Sequence, residues 1–236
     1  MAKIHFVLQG KGGVGKSFVS SLLCQYIMSK NESIIPIDTD PNNTTLLNIK
    51  ALKTTFLQLV DDDGKFDIRS FDKIIQLIDD KKDTSHFVID GGATTFIPLI
   101  DYLNENEVIE MLQSMEHEIY IHIPIVGGQA KDDTLDGLDQ LIGSFSTASI
   151  VVWLNEYHGA ISGFEDSEFY VKRKEHIMAM IYLANFNKDT FGKDLLEMTT
   201  KKMTFEEALK HKDFNLMSKQ RLKIYRDRVF TQMSLL

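Results

Sequence analysis

The feature that most constrains the fold is the glycine-rich segment GKGGVGKS at residues 10–17, which matches the pattern G-x-x-x-x-G-K-[ST]. An apolar run at residues 4–8 comes directly before it, as expected for a buried parallel strand. Residues 17–28 follow it with apolar side chains at helical spacing. The sequence therefore predicts a strand, a tight loop and a helix in immediate succession.

Strands and helices are predicted to alternate along the rest of the chain. Further strands are expected at residues 33–37, 86–89, 119–125, 149–154 and 177–183, and helices at 67–79, 105–115, 134–142 and 165–174. Helical segments close the chain from about residue 190. This order indicates an α/β three-layer sandwich with a mostly parallel twisted sheet. Without a linker-like or repeated stretch, residues 1–236 are predicted to form a single domain.

Polar and glycine residues come directly after several of the predicted strands. They are Gly10, Asp38, Asp40, Asp90 and Asn155. In parallel α/β sheets, ligands bind outside the carboxyl ends of the strands. We therefore expect these residues to converge on one site.

The glycine-rich segment has the chemistry of a phosphate-binding loop. Glycine lets the backbone approach phosphate oxygens closely, and the following helix directs its N-terminal N–H groups and partial positive charge at them. Lys16 would bind the β- and γ-phosphates of a nucleotide, and the Ser17 hydroxyl would be a ligand of Mg²⁺. The candidate nucleotide-binding residues are Gly10, Gly12, Gly13, Val14, Gly15, Lys16, Ser17 and Phe18.

A second lysine, Lys11, occupies a variable position of the motif. One interpretation is a solvated surface lysine. The other is that Lys11 crosses into a partner subunit and neutralises charge on that subunit's phosphates, as arginine fingers do in trans. A two-fold interface would make the exchange reciprocal.

Three segments carry a family resemblance. KGGVGKS at residues 11–17 resembles the deviant Walker A motif of the ParA/MinD group of P-loop ATPases, of which the extra lysine is the signature. DTDPNN at 38–43 resembles the switch I of that group, and FVIDGG at 87–92 stands where its Walker B and switch II belong. The stretches MAKIHFVLQGKGGVGKS, IDTDPNNTT, VVWLN, TFEEAL and MSKQRLKIYRDRVF are similar to the TraL nucleotide-binding proteins of plasmid conjugal-transfer operons.

The resemblance implies an ATP-binding and ATP-hydrolysing switch that forms a nucleotide-dependent homodimer, with Mg²⁺ as cofactor. It makes Lys11 the trans-acting lysine, Lys16 the phosphate lysine and Asp40 the residue that orients the attacking water. A partner from the conjugation machinery, in the relaxosome or the transfer apparatus, is implied as well.

The same resemblance assigns the remaining site residues. Asp38 and Asp90 join Ser17 as candidates for the metal site, Asp90 acting through a water and Asp38 also supporting switch I. Asn155 would read the edge of the adenine.

Local structural roles remain open for these residues. Asp40 could cap a turn ahead of Pro41, Asp38 could make local hydrogen bonds, and Asn155 could belong to a plain turn. Asp90 is followed by Gly91-Gly92, where the ParA/MinD group commonly has a proline-containing sequence. This departure puts the hydrolysis rate in doubt and leaves a nucleotide-binding scaffold with little hydrolysis as an alternative.

Other function classes fit less well. A metabolic ligase similar to dethiobiotin synthetase generally lacks the lysine at the position of Lys11. A reductase of the nitrogenase type needs cysteines that hold an iron–sulfur cluster, whereas Cys24 is the chain's one cysteine. The histidines, including His117 and His122, lack metal-ligand spacing and are interpreted as ordinary core or surface residues.

The C-terminal part of the chain is basic although the net charge is −8. Residues 201–236 contain nine Lys and Arg against four Asp and Glu, and residues 217–233 predict an amphipathic helix. This helix could pack on the sheet, lie on an anionic membrane or contact DNA phosphates, the last two as in a positioning or partition ATPase. With no signal peptide or apolar run long enough to span a bilayer, we expect a cytoplasmic protein, which would be peripheral to the inner membrane if this helix binds lipid.

Overall fold

The computed structural model describes residues 1–59, 65, 67, 69–81, 84–184 and 186–236. Within them the strands are β1 Lys3–Val7, β2 Ile34–Asp38, β3 Thr55–Phe56, β4 His86–Asp90, β5 Glu118–Val126, β6 Ser149–Asn155 and β7 Ile177–Leu183. The helices are α1 Lys16–Ser29, α2 Arg69–Asp80, α3 Phe96–Glu105, α4 Val108–Ser114, α5 Lys131–Ser144, α6 Glu168–Arg173, α7 Lys193–Thr200, α8 Phe205–Lys210 and α9 Leu216–Met233.

The described strands form one sheet in the order β3-β2-β4-β1-β5-β6-β7, and every neighbouring pair is parallel. Alternate side chains of each strand enter opposite layers. On β1, Ile4 and Phe6 join the core under α2–α5, whereas Val7 joins the core under α1 and α7–α9. The predicted three-layer α/β fold is therefore confirmed.

The strand register brings the predicted polar residues to one edge of the sheet. Asp90 of β4 pairs with Val7 at the end of β1 and also with Asp38 at the end of β2. The glycine-rich loop leaves β1 at this level. Its position beside the carboxyl ends of β2 and β4 follows from the parallel pairing alone.

The structure differs from the predicted secondary structure at three places. The helix predicted at residues 105–115 is instead the end of α3, a break, and α4, because Glu107 has a left-handed backbone with φ of 47°. Helix α3 was missed because Pro98 resembles a helix breaker, yet it lies in the first turn, where a missing N–H costs little. Strand β3 has two residues, too few for a recognisable pattern. Ile68, part of the helix predicted at 67–79, lies outside the described residues.

Helix α9 packs its apolar face against the sheet. Leu222, Tyr225, Val229 and Met233 are all buried in the same core as β6 and β7. Its charged side chains have local partners: Lys223 and Arg226 both bind Asp227, and the Arg228 guanidinium lies 5.0 Å from the centre of the Phe186 ring. Packing on the sheet is therefore the interpretation of this helix that the structure supports.

The same helix also covers part of an edge of the sheet. At β7, the Gln232 side chain accepts a hydrogen bond from the backbone N–H of Tyr182 at 2.7 Å and donates to its carbonyl at 3.2 Å. The amide thus takes the place that a neighbouring strand would occupy. In the part of the chain that the structure describes, no helix has both the length and the apolar composition needed to cross a membrane.

Candidate functional site

The glycine-rich loop curves through two left-handed residues between β1 and α1. Gly13 has φ of 75° and Gly15 has φ of 98°, values that a side chain would disfavour. Gly15 is also the N-cap of α1 and provides no side-chain cap. The N–H groups of the first helical turn therefore remain available to an anion.

Lys16 folds back over this loop. Its side chain is largely buried, and its Nζ atom donates to the Lys11 carbonyl at 3.1 Å. Burial lowers the pKa of Lys16, while the nearby Asp90 and Asp40 carboxylates act in the opposite direction. A bound phosphate would remove the cost of keeping this ammonium group charged in a buried position.

Asp90 lies beneath the loop, fully buried at the end of β4. Its Oδ1 atom accepts a hydrogen bond from Ser20 at 2.9 Å, whereas its Oδ2 atom has no partner among the described residues. Burial raises the pKa of Asp90 to about 7, against the lowering effect of the Ser17 and Ser20 hydroxyls. An orphaned carboxylate oxygen near a hydroxyl fits the oxygen donors that Mg²⁺ prefers. Ser17 and Asp90 would hold the ion, which would neutralise phosphate charge there.

Asp38 organises the segment that follows β2. Its two carboxylate oxygens accept the backbone N–H groups of Asp40 at 3.1 Å and Leu47 at 3.0 Å. The carboxylate thereby ties both ends of this segment to the sheet. These hydrogen bonds give Asp38 a structural role, and its place in a metal site stays a prediction.

Asp40 lies half-buried above the same edge of the sheet. Its Oδ1 atom accepts the backbone N–H groups of Asn42 at 2.9 Å and Asn43 at 3.1 Å, which closes an Asx-type turn. Asp40 therefore has the turn role that the sequence left open. It also lines the cleft beside Lys16 and Ser17, where a catalytic carboxylate would have to lie.

Gly91-Gly92 stands where the ParA/MinD group commonly has a proline-containing sequence, and this difference has a steric reason. A Cβ atom on Gly91 would lie 2.9 Å from Leu8 Cδ2, and one on Gly92 would lie 3.3 Å from Asp40 Cγ. The Gly91 N–H also donates to the Val7 carbonyl at 3.1 Å, which a proline could not do. This chain therefore joins β4 to the next loop through close backbone contact.

Two side chains at and just after the end of β6 hold the glycine-rich loop from one side. Asn155 donates through Nδ2 to the Val14 carbonyl at 3.0 Å, and Oδ1 accepts the Tyr157 N–H at 3.2 Å. His158 Nε2 lies 2.9 Å from the Gly13 carbonyl, so it donates there. Asn155 does lie at the site, but its visible contacts position the loop.

Two depressions meet at the loop. A polar cleft is lined by Gly12, Lys16, Ser17, Asp40, Asn42 and Thr45, among others. A mostly apolar pocket is lined by residues that include Asn155, Leu183, Phe186, Leu195 and Tyr225. Gly13, Gly15 and Phe18 line both. This arrangement suits a ligand with a charged phosphate end and a flat apolar end, such as a nucleotide.

Lys11 points away from the polar cleft. Its Nζ atom lies 2.7 Å from Asp133 Oδ2 in the first turn of α5, with side-chain exposures of 45% and 55%. Exposed ion pairs contribute at most about 1 kcal/mol to stability. The contact therefore holds Lys11 weakly and leaves it able to exchange partners.

Gln9 anchors the start of the loop, a role that its sequence position did not indicate. It is buried, and its Oε1 atom accepts the Gly10 N–H at 2.9 Å. Its Nε2 group donates to the carbonyls of Pro124 at 3.2 Å and Thr134 at 3.0 Å. One side chain thus connects the loop, β5 and α5.

Replacing Gly137 by alanine should displace this anchor. Its Cβ atom would lie 2.1 Å from Gln9 Oε1, so Gln9 would have to leave its hydrogen bonds. We expect a net loss of about 1–3 kcal/mol in the free energy of unfolding, measured by urea denaturation. In Gly143→Ala on the same helix, the new Cβ has open space among the described residues and should stabilise by up to about 1 kcal/mol. Equal effects of the two substitutions would contradict the anchoring role of Gln9.

The chain is similar to known proteins both in sequence and in fold. A family model, the CobQ/CobB/MinD/ParA nucleotide binding domain, matches residues 5–181. Two Escherichia coli proteins, each named Protein TraL, are 42% and 40% identical over 238 residues, covering 99% of this chain and 98% of each relative. Among solved structures, the MinD cell division protein of Aquifex aeolicus has a TM-score of 0.55 at 15% identity and 98% coverage of both chains. MinD of Pyrococcus horikoshii, complexed with Mg-ADP, has a TM-score of 0.54 at 15% identity, covering 97% of this chain and 96% of that one.

At 15% identity, the solved structures show that the fold is similar and no more. The family model covers most of the chain, and the similarity to the TraL proteins extends over nearly its full length. Both confirm the family predicted from the glycine-rich motif. The chain belongs to the CobQ/CobB/MinD/ParA nucleotide-binding domain family.

Proposed function

We propose that this protein is an ATP-dependent dimerisation switch. ATP and Mg²⁺ would bind at the glycine-rich loop and favour a two-fold pair of subunits, and hydrolysis would release the pair. A protein partner would recognise the difference between the two states. The fold, the family match and the joined polar and apolar depressions support the binding part of this proposal.

The contrast between the two lysines carries the dimerisation part. Lys16 is buried within its own loop, whereas the Lys11 side chain is half exposed, and in the described part of the chain its ammonium group has one ion pair, with Asp133. Two such loops facing each other across a two-fold axis would let each Lys11 approach the partner's phosphates. The exchange of Asp133 for phosphate would strengthen the charge pairing, since a nucleotide brings several negative charges.

The other residues would divide the chemistry. Lys16 would hold the β- and γ-phosphates, and Asp40 would orient the attacking water from the same cleft. Asp38 would keep switch I close to the phosphates through its bonds to Asp40 and Leu47. These roles mainly concern positioning and charge, which dominate phosphoryl transfer.

We further propose a role in plasmid conjugal transfer, with a component of the relaxosome or transfer apparatus as partner. The similarity to the TraL proteins over nearly the whole chain supports it. Some solved relatives also work with a protein partner, since a MinC:MinD cell division complex of Aquifex aeolicus is among the structural neighbours, with a TM-score of 0.57.

A nucleotide-binding scaffold with little hydrolysis is the second candidate. One oxygen of Asp40 already accepts two backbone N–H groups, which reduces its freedom to orient a water. Such a protein would still bind ATP and dimerise. Turnover measured separately from dimerisation therefore distinguishes the two candidates.

Sedimentation velocity with Mg²⁺ and either ATP, ADP or no nucleotide tests the switch. We expect dimers with ATP and monomers in the other two samples. ATP binding with unchanged sedimentation would contradict it. Sedimentation with liposomes and with duplex DNA, with and without ATP, tests whether the basic C-terminal segment adds either contact.

A further inference from the structure

Three buried histidines lie in a row across the sheet, on the face that packs against α1. His122 of β5 contacts His5 of β1, with 3.0 Å between Nε2 and Nδ1. His5 Nε2 lies 3.0 Å from Nδ1 of His86 on β4, whose Nε2 atom contacts the carboxylate of Glu32. At the other end, the indole N–H of Trp153 on β6 donates to His122 Nδ1 at 3.0 Å. The row thus joins four adjacent strands and ends at a half-exposed carboxylate.

The two ends of this row determine where every proton lies. Indole can only donate and an ionised carboxylate can only accept. Because Trp153 donates to Nδ1 of His122, the His122 proton must be on Nε2 and point at His5. The same argument then places the proton of His5 on Nε2, and that of His86 on Nε2 towards Glu32. One arrangement of neutral imidazoles therefore satisfies all four contacts.

An added proton would break this arrangement. A doubly protonated imidazole can only donate. Protonated His122 would place an N–H group against the indole N–H of Trp153, and no shift of tautomers along the row removes that conflict. The row therefore cannot pass an added proton on at the Trp153 end, because the indole N–H group only donates.

The surroundings also favour neutral rings. Burial lowers the pKa of His122 to about 3, and burial together with the neighbouring histidines lowers the pKa of His5 well below its usual value. Other ionisable groups around the row are Lys3, Cys24, Glu118 and Tyr120. Lys3 lies near the Tyr120 ring, which stacks on His5 with centres 5.0 Å apart, and its charge opposes protonation of His5.

The row lies under the candidate site. Trp153 belongs to the core beneath α1, the helix whose N-terminus completes the glycine-rich loop. It also precedes by two positions Asn155, which holds the Val14 carbonyl. A displacement of Trp153 would therefore shift α1 and Asn155, both of which support the glycine-rich loop.

We propose that Glu32, His86, His5, His122 and Trp153 form one polarised hydrogen-bond chain, an acid-sensitive lock on the four central strands beneath the glycine-rich loop. The lock holds while all three imidazoles are neutral and opens when one is protonated. The contacts that form it involve neither a bound nucleotide nor a second subunit.

Proton-detected ¹⁵N NMR of the histidine rings tests the assigned protons directly. We expect all three buried rings to carry the proton on Nε2 at neutral pH. Glu32→Ala, at the far end of the row, should shift the Trp153 indole resonance, and the surface control Glu110→Ala should not. A His122 proton on Nδ1, or a Trp153 indole resonance that stays unchanged in Glu32→Ala, would overturn the proposal.

Acid unfolding tests the lock through the fluorescence of Trp153, the one tryptophan of the chain. A histidine with a lowered pKa binds more protons when unfolded, so stability falls as the pH drops below about 6.5. Each such residue lowers the folding equilibrium constant by up to about tenfold per pH unit. Asp90, with its raised pKa, acts in the opposite direction, so the comparison must be made between variants.

His122→Gln provides that comparison because the amide can both accept and donate but does not titrate in this range. Between pH 6 and pH 4, the folding equilibrium constant of the wild type should fall more steeply than that of His122→Gln, by about tenfold per pH unit. His122→Leu, which removes the acceptor of Trp153, should be less stable at every pH. Identical pH slopes for the wild type and His122→Gln would show that His122 is not held neutral and would overturn the proposal.

Discussion

The Lys11→Ala variant is expected to bind ATP with wild-type affinity, yet to remain monomeric and to lose about 10³-fold in ATP turnover. Lys11 does not enter the polar cleft of its own subunit, so its loss should leave that cleft intact. Charge supplied in trans acts mainly on the reacting state, so the loss should appear in turnover rather than affinity. Sedimentation velocity and a phosphate-release assay measure the two effects.

Asp133→Ala is the matched control for this variant. It removes the 2.7 Å contact within the chain while keeping the Lys11 side chain. Because an exposed pair contributes at most about 1 kcal/mol, we expect a change in dimerisation of less than about fivefold. A Lys11→Ala protein that dimerises and turns over ATP like the wild type would disprove the trans-acting role.

The Lys16→Ala variant should lose ATP affinity by about 10²-fold or more. Removing one partner of a desolvated charge pair costs about 2–5 kcal/mol, and Lys16 is the buried cation of the loop. Isothermal titration calorimetry with ATP and with ADP measures this loss. The fold should persist, since the one hydrogen bond of its ammonium group among the described residues is to the Lys11 carbonyl.

Lys16→Met controls for the lost aliphatic stem. It retains the apolar part of the side chain and removes the charge. Its affinity should match that of Lys16→Ala. Near wild-type affinity in either variant would mean that the phosphates bind elsewhere, and the proposed site would then be wrong.

The sequence predicted the elements that have a strong local pattern. Six of the seven described strands and the loop-to-helix junction at Lys16 were expected, because apolar runs and the glycine motif are read within short windows. Strand β3 was missed because its two residues are recognisable as a strand only through their pairing with β2. The break between α3 and α4 depends on the unusual backbone of Glu107.

The candidate site was predicted where its residues follow a motif and missed where they meet through the fold. The placement of Lys16, Ser17 and Asp90 near one edge of the sheet was predicted from the loop motif and the ends of predicted strands, and their roles stay predictions. Gln9 and Asp133 act through contacts across more than a hundred positions, for which a single sequence gives no signal. His122 was interpreted as an ordinary residue, since its partners His5 and Trp153 become neighbours only when the strands pair.

The Gln232 amide at the edge of β7 has a consequence for how copies of this protein can associate. A strand from another molecule would have to displace an amide that already satisfies both backbone groups of Tyr182. At the opposite edge, the two residues of β3 offer little backbone for pairing. Growth of the sheet from molecule to molecule into a ribbon is thereby disfavoured at both ends. The proposed pair, which would meet over the glycine-rich loops, needs neither edge of the sheet.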